Sequence, residues 1–204
     1  MTLYSDPVGA DSHRVRLVFA EKGIRVPVVS VRATERLPDD LLTLNPRNLI
    51  PMLCDRELVV YHPHIIMQYL DERFPHPPLL PLDPVARARV RLTLHRIEHD
   101  WYSHLPHFES RSRGVNLEKS RQHLRESLIS SSEVFSAKPY FLSDEFSLVD
   151  CTIAPILWRL DFWEIPLGTL GKPIAEYADR LFRRPAFRAS LTPDELRMRP
   201  ESNP

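Results

Sequence analysis

The amino-acid sequence predicts a small α/β unit followed by an all-helical unit, and three observations carry that expectation. Short β-branched runs alternate with helical apolar spacing up to Arg73. A proline-dense stretch then interrupts the chain. Beyond it the apolar spacing is helical almost to the end.

The elements follow in order. Thr2, Leu3 and Tyr4 form a short apolar start, read as a strand. Val15, Leu17, Val18 and Ala20 fall at helical spacing, and Gly23 supplies a C-terminal stop. Residues 26–31 are rich in valine and predict a second strand, and Leu41, Leu42 and Leu44 predict a short helix ended by Asn45 and Pro46. Residues 51–54 and 58–61 flank Asp55, Arg56 and Glu57, the pattern of an antiparallel hairpin. Ile65, Ile66, Tyr69 and Leu70 then mark an amphipathic helix. Residues 1–73 thus read as βαβ, helix, ββα.

Residues 74–84 read F-P-H-P-P-L-L-P-L-D-P, five prolines in eleven residues. Proline removes a backbone donor and disfavours helix in the residue before it, so this segment is expected to be extended, in polyproline II conformation, and to divide the units. Over 85–204 the periodicity predicts helices at 85–105, 117–135, 148–162 and 174–182. Ser147 and Asp150 open the third of these with an S-x-x-D capping box, in which each side chain satisfies the other residue's amide.

Composition narrows the chemistry. The 204 residues carry 27 Lys+Arg against 27 Asp+Glu, with 20 prolines and only 5 glycines. Neither G-x-G-x-x-G nor G-x-x-x-x-G-K-[ST] occurs, so no glycine-rich phosphate cradle is expected. Balanced charge argues against binding nucleic acid over the whole surface; the excess of basic residues at 87–125 reads as solvated helix faces or a contact for an acidic protein. Cys54 and Cys151 stand apart, which fits a reducing cytoplasm, and no long apolar run predicts a membrane span. His95, Glu98 and His99 match H-x-x-E-H, yet nothing nearby recommends a third ligand, and no metal or cofactor is expected.

The βαβ, helix, ββα order, the proline before the hairpin and the S-x-x-D box together resemble the glutathione S-transferase-like fold, a thioredoxin-like domain followed by a helical one. More specific blocks, Y-L-D-E-R-F-P-H-P-P-L at 69–79, P-V-A-R at 84–87, H-R-I-E at 95–98 and K-P-Y-F-L-S-D-E-F-S-L-V-D-C at 138–151, resemble the bacterial stringent starvation protein A family. That resemblance implies a non-enzymatic, cytoplasmic transcription regulator of the stress or starvation response. It also implies a homodimer that binds RNA polymerase holoenzyme and its principal sigma factor, touching DNA only through polymerase. The partner-binding residues it implies are Phe74, Pro75, His76 and Pro77, with Pro78 and Leu79 beside them. It further implies a cis bond before Pro51, a structural residue. Asp83 stands where the family often has a tyrosine.

Glutathione chemistry is the second expectation. In transferases an acidic residue and a serine at the helix after the hairpin hold the γ-glutamyl group, an anion site at a helix start. Here His62 and Pro63 occupy those positions, and Pro63 has neither hydroxyl nor N–H. Ser12 is the candidate thiol activator under this alternative, and a helix cap under the first reading.

Overall fold

In the computed structural model, which describes residues 1–109 and 115–199, the alternation over residues 1–73 closes into one mixed sheet. Its strands are β1 (Thr2–Ser5), β2 (Val28–Ser30), β3 (Met52–Asp55) and β4 (Leu58–Tyr61), in the order β2-β1-β3-β4. β2 runs parallel to β1, while β3 is antiparallel to both β1 and β4. Leu3 is paired with Val28 on one side and Leu53 on the other. The crossover between β1 and β2 is α1 (Ala10–Glu21); α2 (Asp39–Leu44) follows β2, and α3 (Pro63–Arg73) follows the hairpin. Leu3, Leu53, Val15, Val18, Ile66 and Leu70 are fully buried and form this core.

Three local outcomes refine the expectations. β2 is shorter than residues 26–31, because Pro27 cannot donate and offers only its carbonyl, to Leu3 N–H at 3.0 Å. The bond between Ile50 and Pro51 is cis, as the resemblance implies, and so is that between His76 and Pro77. Gly23 lies at φ 67, the left-handed conformation that ends α1.

The division into two compact units falls between Pro77 and Pro78, inside the expected 74–84 boundary. The sequence expectation of one helical unit over 85–204 differs from the structure at its end. α10 (Pro185–Ser190) and α11 (Pro193–Leu196) belong to the first unit, where α10 packs against α1. Buried polar groups explain that placement. Arg16 donates to Glu195 Oε1 at 2.6 Å, to Ser190 O at 3.1 Å and to Ser5 Oγ at 2.6 Å. His13 Nε2 lies 2.9 Å from Ser190 Oγ, Phe187 packs on the His13 ring, and Thr192 and Glu195 cap α11 reciprocally.

The second unit is built from α4 (Pro84–Asp100), α5 (Leu105–Glu109), α6 (Val115–Ser130), α7 (Ser132–Ala137), α8 (Leu148–Arg159) and α9 (Lys172–Phe182). The helix expected at 85–105 stops at Asp100, and a 3-10 turn at Tyr102–His104 redirects the chain. The helix expected at 117–135 breaks at Ser131. There Ser127, Ser130 and Ser131 cluster, and the hydroxyls of Ser130 and Ser131 both donate to Ser127 O, competing with the helical ladder. α8 is buried on nearly every side, as its apolar composition requires. Trp101, Phe135, Phe141 and Tyr177 surround it with ring contacts, among them Phe135 to Phe141 at 5.0 Å and Phe135 to Tyr177 at 5.1 Å. Among the described residues no helix is long and apolar enough to cross a membrane.

Candidate functional site

The capping box sets one wall of the candidate site. Ser147 N–H and hydroxyl both donate to Asp150 Oδ2, at 2.8 and 3.1 Å, and Val149 N–H donates to Ser147 Oγ. Asp150 Oδ1 also accepts from Phe141 N–H at 2.9 Å and from Tyr177 O–H at 2.6 Å. One buried carboxylate therefore ties the start of α8 to the 140–147 loop. Burial pushes the Asp150 carboxyl upward, against the pull of those hydrogen bonds. Tyr177 is pushed well above the usual phenol value, first by burial and then by Asp150 itself.

The loop so anchored turns tightly. Tyr140 and Ser143 exchange backbone hydrogen bonds at 3.1 and 3.2 Å, and Leu142 at the tip has φ 57 with its side chain 57% exposed. Leu148 N–H donates to Leu79 O at 2.9 Å, joining this loop to the proline segment. Asp83 accepts from Ala86 N–H at 2.7 Å, so the residue that replaces the family's tyrosine is the N-cap of α4. That role is readable from D-P-V-A, but the sequence reading assigned none.

Between these pieces lies a groove of about 600 Å³ inside the second unit. Pro78, Leu79 and Leu82 form one wall, Leu142 and Phe146 the other, and Arg89 with Val90 of α4 the side. Leu82 is 84% exposed and Leu79 only 4%, so the proline segment contributes both a buried root and an open apolar rim. Arg184 lies 3.9 Å over the Phe146 ring and donates to Tyr140 Oη at 3.0 Å, which stiffens the loop side. A smaller hollow of about 290 Å³ shares Thr93, Phe141 and Leu142 with the groove.

The other expected partner-binding residues belong to the first unit. Pro75, His76 and Pro77 are exposed and Phe74 half-buried. Phe74 N–H donates to Leu70 O at 3.0 Å, and Arg73 lies over the Phe74 ring. At the start of α3, His62 is the N-cap at φ 81 with no side-chain cap, and Pro63 follows as the first helical residue.

Ser12 is placed differently from the cap that the sequence predicts. Gly9 is the N-cap of α1, and Ser12 sits in its first turn. The Ser12 hydroxyl accepts from Asp6 N–H at 2.8 Å, and the residue is 1% exposed. Asp6 accepts from the amides of Val8 and Gly9, at 2.8 and 2.9 Å, in the loop that leads into α1. His95 and His99 are exposed on α4, and among the described residues no three His, Cys, Asp or Glu side chains gather as a metal set. Of the basic stretch 87–125, Arg111 and Arg113 lie outside the described residues. Arg121 pairs with Glu118 and Glu164, and Arg125 donates to Pro166 O, so both are engaged within the unit.

Comparison with known proteins matches this architecture. A family model described as the glutathione S-transferase N-terminal domain covers residues 3–78, and one for the C-terminal domain covers residues 86–189. A stringent starvation protein A homolog of Haemophilus ducreyi is 45% identical, with 94% of this chain and 89% of that protein covered. One from Coxiella burnetii is 44% identical over 98% of this chain and 95% of its own length. Among solved structures, the bacterial glutathione S-transferase BphK superposes with a TM-score of 0.84 at 22% identity, over 94% of this chain and 98% of that one, a likeness of fold. The chain therefore belongs to the stringent starvation protein A family, within the glutathione S-transferase-like proteins.

Proposed function

We propose that this chain is a non-enzymatic transcription regulator of the stress or starvation response, acting by protein contact with RNA polymerase holoenzyme and its principal sigma factor. One observation supports this most. Pro78 and Leu79 from P-H-P-P-L, with Phe141, Leu142 and Phe146 from Y-F-L-S-D-E-F, the two blocks that carry the resemblance, line one groove in the second unit. A groove walled by prolines and by a hydrogen-bonded loop loses little entropy on binding, which suits recognition of a protein segment. Half-buried Phe74 and the exposed Pro75, His76 and Pro77 of the first unit, with Pro78 and Leu79 of the second, form the contact set in this reading. Pro51, Ser147 and Asp150 are its structural supports. The protein acts in the cytoplasm as a homodimer, needs no cofactor or metal, and reaches DNA through polymerase.

The arrangement at the transferase positions supports the same reading. Pro63 leaves the first turn of α3 without one of its amides, and the Ser12 hydroxyl is buried, its oxygen accepting from Asp6 N–H. Each lost hydrogen bond to a charged ligand weakens binding by about 1.5–3 kcal/mol.

Capture of purified polymerase holoenzyme tests the proposal. Wild-type protein is expected to retain it, and both His76→Ala with Pro77→Ala and the groove variant Leu142→Glu are expected to release it while remaining folded. Equal capture by all three overturns the contact set. Retention of wild-type protein on immobilised glutathione, lost in Ser12→Ala, favours the enzyme instead.

A further inference from the structure

We infer that Lys22 and Asp71 are positioning residues for the exposed segment at 74–77, holding the Pro77 carbonyl and thereby the orientation of His76. Lys22 follows α1 and its side chain is fully buried, with Nζ 2.5 Å from Asp71 Oδ1 on α3. A second N–H of the same ammonium reaches Pro77 O, also at 2.5 Å.

A buried ammonium needs compensation, and Asp71 supplies it. The bond to Pro77 goes further, because it ties a carbonyl of the exposed segment to a residue 55 positions away in sequence. Pro75 and Pro77 have no N–H, so half of this segment cannot be held by backbone donors of its own. Two anchors bracket it. Phe74 N–H on Leu70 O fixes its start, and Lys22 on Pro77 O fixes its end. Pro75 and His76, between the anchors, are exposed. A partner then meets a histidine presented on a pinned backbone, which lowers the ordering cost of binding. That consequence for binding rests on the polymerase reading; the pinning itself does not.

The test uses the full chain carrying Lys22→Met with Asp71→Leu, which replaces the buried pair by apolar groups of similar volume. Such exchanges are close to neutral for stability. Two signals are followed: the imidazole proton resonances of His76, assigned by their loss in His76→Ala, and the affinity for polymerase holoenzyme. The double variant is expected to melt close to wild type. Its His76 resonances move toward those of an unstructured peptide, and its holoenzyme affinity falls about tenfold. Native melting with unmoved His76 resonances overturns the inference and leaves the pair as an ordinary structural salt bridge. Moved resonances with unchanged affinity uphold the pinning and overturn its role in binding. If wild-type protein captures no holoenzyme, the functional reading fails, and the resonances still decide the pinning. Should the apolar pair prevent folding, Lys22→Gln with Asp71→Asn takes its place. Those amides can bond each other, but no ammonium is left to reach Pro77.

Discussion

The first unit buries a set of ion-paired side chains, and the second buries mainly rings and aliphatic groups. His13, Arg14, Arg16, Lys22, Asp71 and Glu195 are all withdrawn from solvent in the first unit. Their bonds link residues far apart in sequence, such as Arg16 to Glu195 and Lys22 to Asp71. In the second unit the principal buried carboxylate, Asp150, draws three of its four hydrogen bonds from Ser147 and Phe141, close by in the chain. The rest of that core is mainly aromatic and aliphatic, and its one fully buried arginine among the described residues, Arg159, bonds locally to Pro155 O. Distant ionic contacts fix which segments belong together, since a single missing partner leaves a charge stranded. A local capping box fixes where a helix begins, and apolar periodicity does the rest.

Ending the chain at Arg184 breaks this contrast most severely. It removes Phe187, Ser190, Thr192 and Glu195 from the first unit, taking a buried ring and two acceptors of Arg16, its carboxylate partner among them. A buried charge without its partner costs about 3–5 kcal/mol, and loss of a buried phenylalanine about as much. Together these approach the whole stability of a small domain. Amides of β1 and α1 are expected to lose protection from hydrogen exchange; native protection there would show that α10 and α11 are dispensable.

Asp150→Ala is the matching lesion in the second unit. The amides of Phe141 and Ser147 and the hydroxyl of Tyr177 lose their acceptor, at about 1–3 kcal/mol for each group left unsatisfied. A loss of about 4 kcal/mol in denaturant unfolding is expected. Glu195→Ala in the first unit comes next, at about 3 kcal/mol, and adding Arg16→Met is expected to recover most of it. No such second-site recovery is expected for Asp150, because two of its four donors are backbone amides that no substitution removes. If Arg16→Met fails to rescue Glu195→Ala, the ionic clasp is a source of stability and not of specificity.

These contrasts also explain what could be read in advance. The hairpin, the Gly23 stop and the S-x-x-D box are local patterns, and each stands where the residues place it. α10 and α11 were invisible because they are short, carry little apolar periodicity and are held by partners in α1. Ser12 was misread because serine is a common cap, whereas Gly9 holds the N-cap position and the Ser12 oxygen accepts from Asp6 N–H. The groove was legible only as two unusual blocks; that they face each other depends on the bond from Leu148 to Leu79. The tie from Lys22 to Pro77 had no sequence signal at all.

The smallest expected effect separates the two regions by pH. Tyr177 titrates well above its ordinary value of 10.0, because burial and the neighbouring Asp150 both disfavour the phenolate. The unfolded chain therefore loses this proton first as pH rises past 10, the native state binds more protons, and stability falls from there upward. Tyr177→Phe removes that alkaline dependence at the expense of one hydrogen bond to a charged group, about 1.5 kcal/mol at neutral pH. Unfolding measured between pH 8 and about 11 should show wild type and variant converging as alkalinity rises. Glu195→Ala leaves Tyr177 and Asp150 in place, so it should keep the same alkaline fall as wild type over the same interval. If Tyr177→Phe runs parallel as well, the phenol does not carry the alkaline response of the second unit, and the buried aromatic core gives that unit no pH signature of its own.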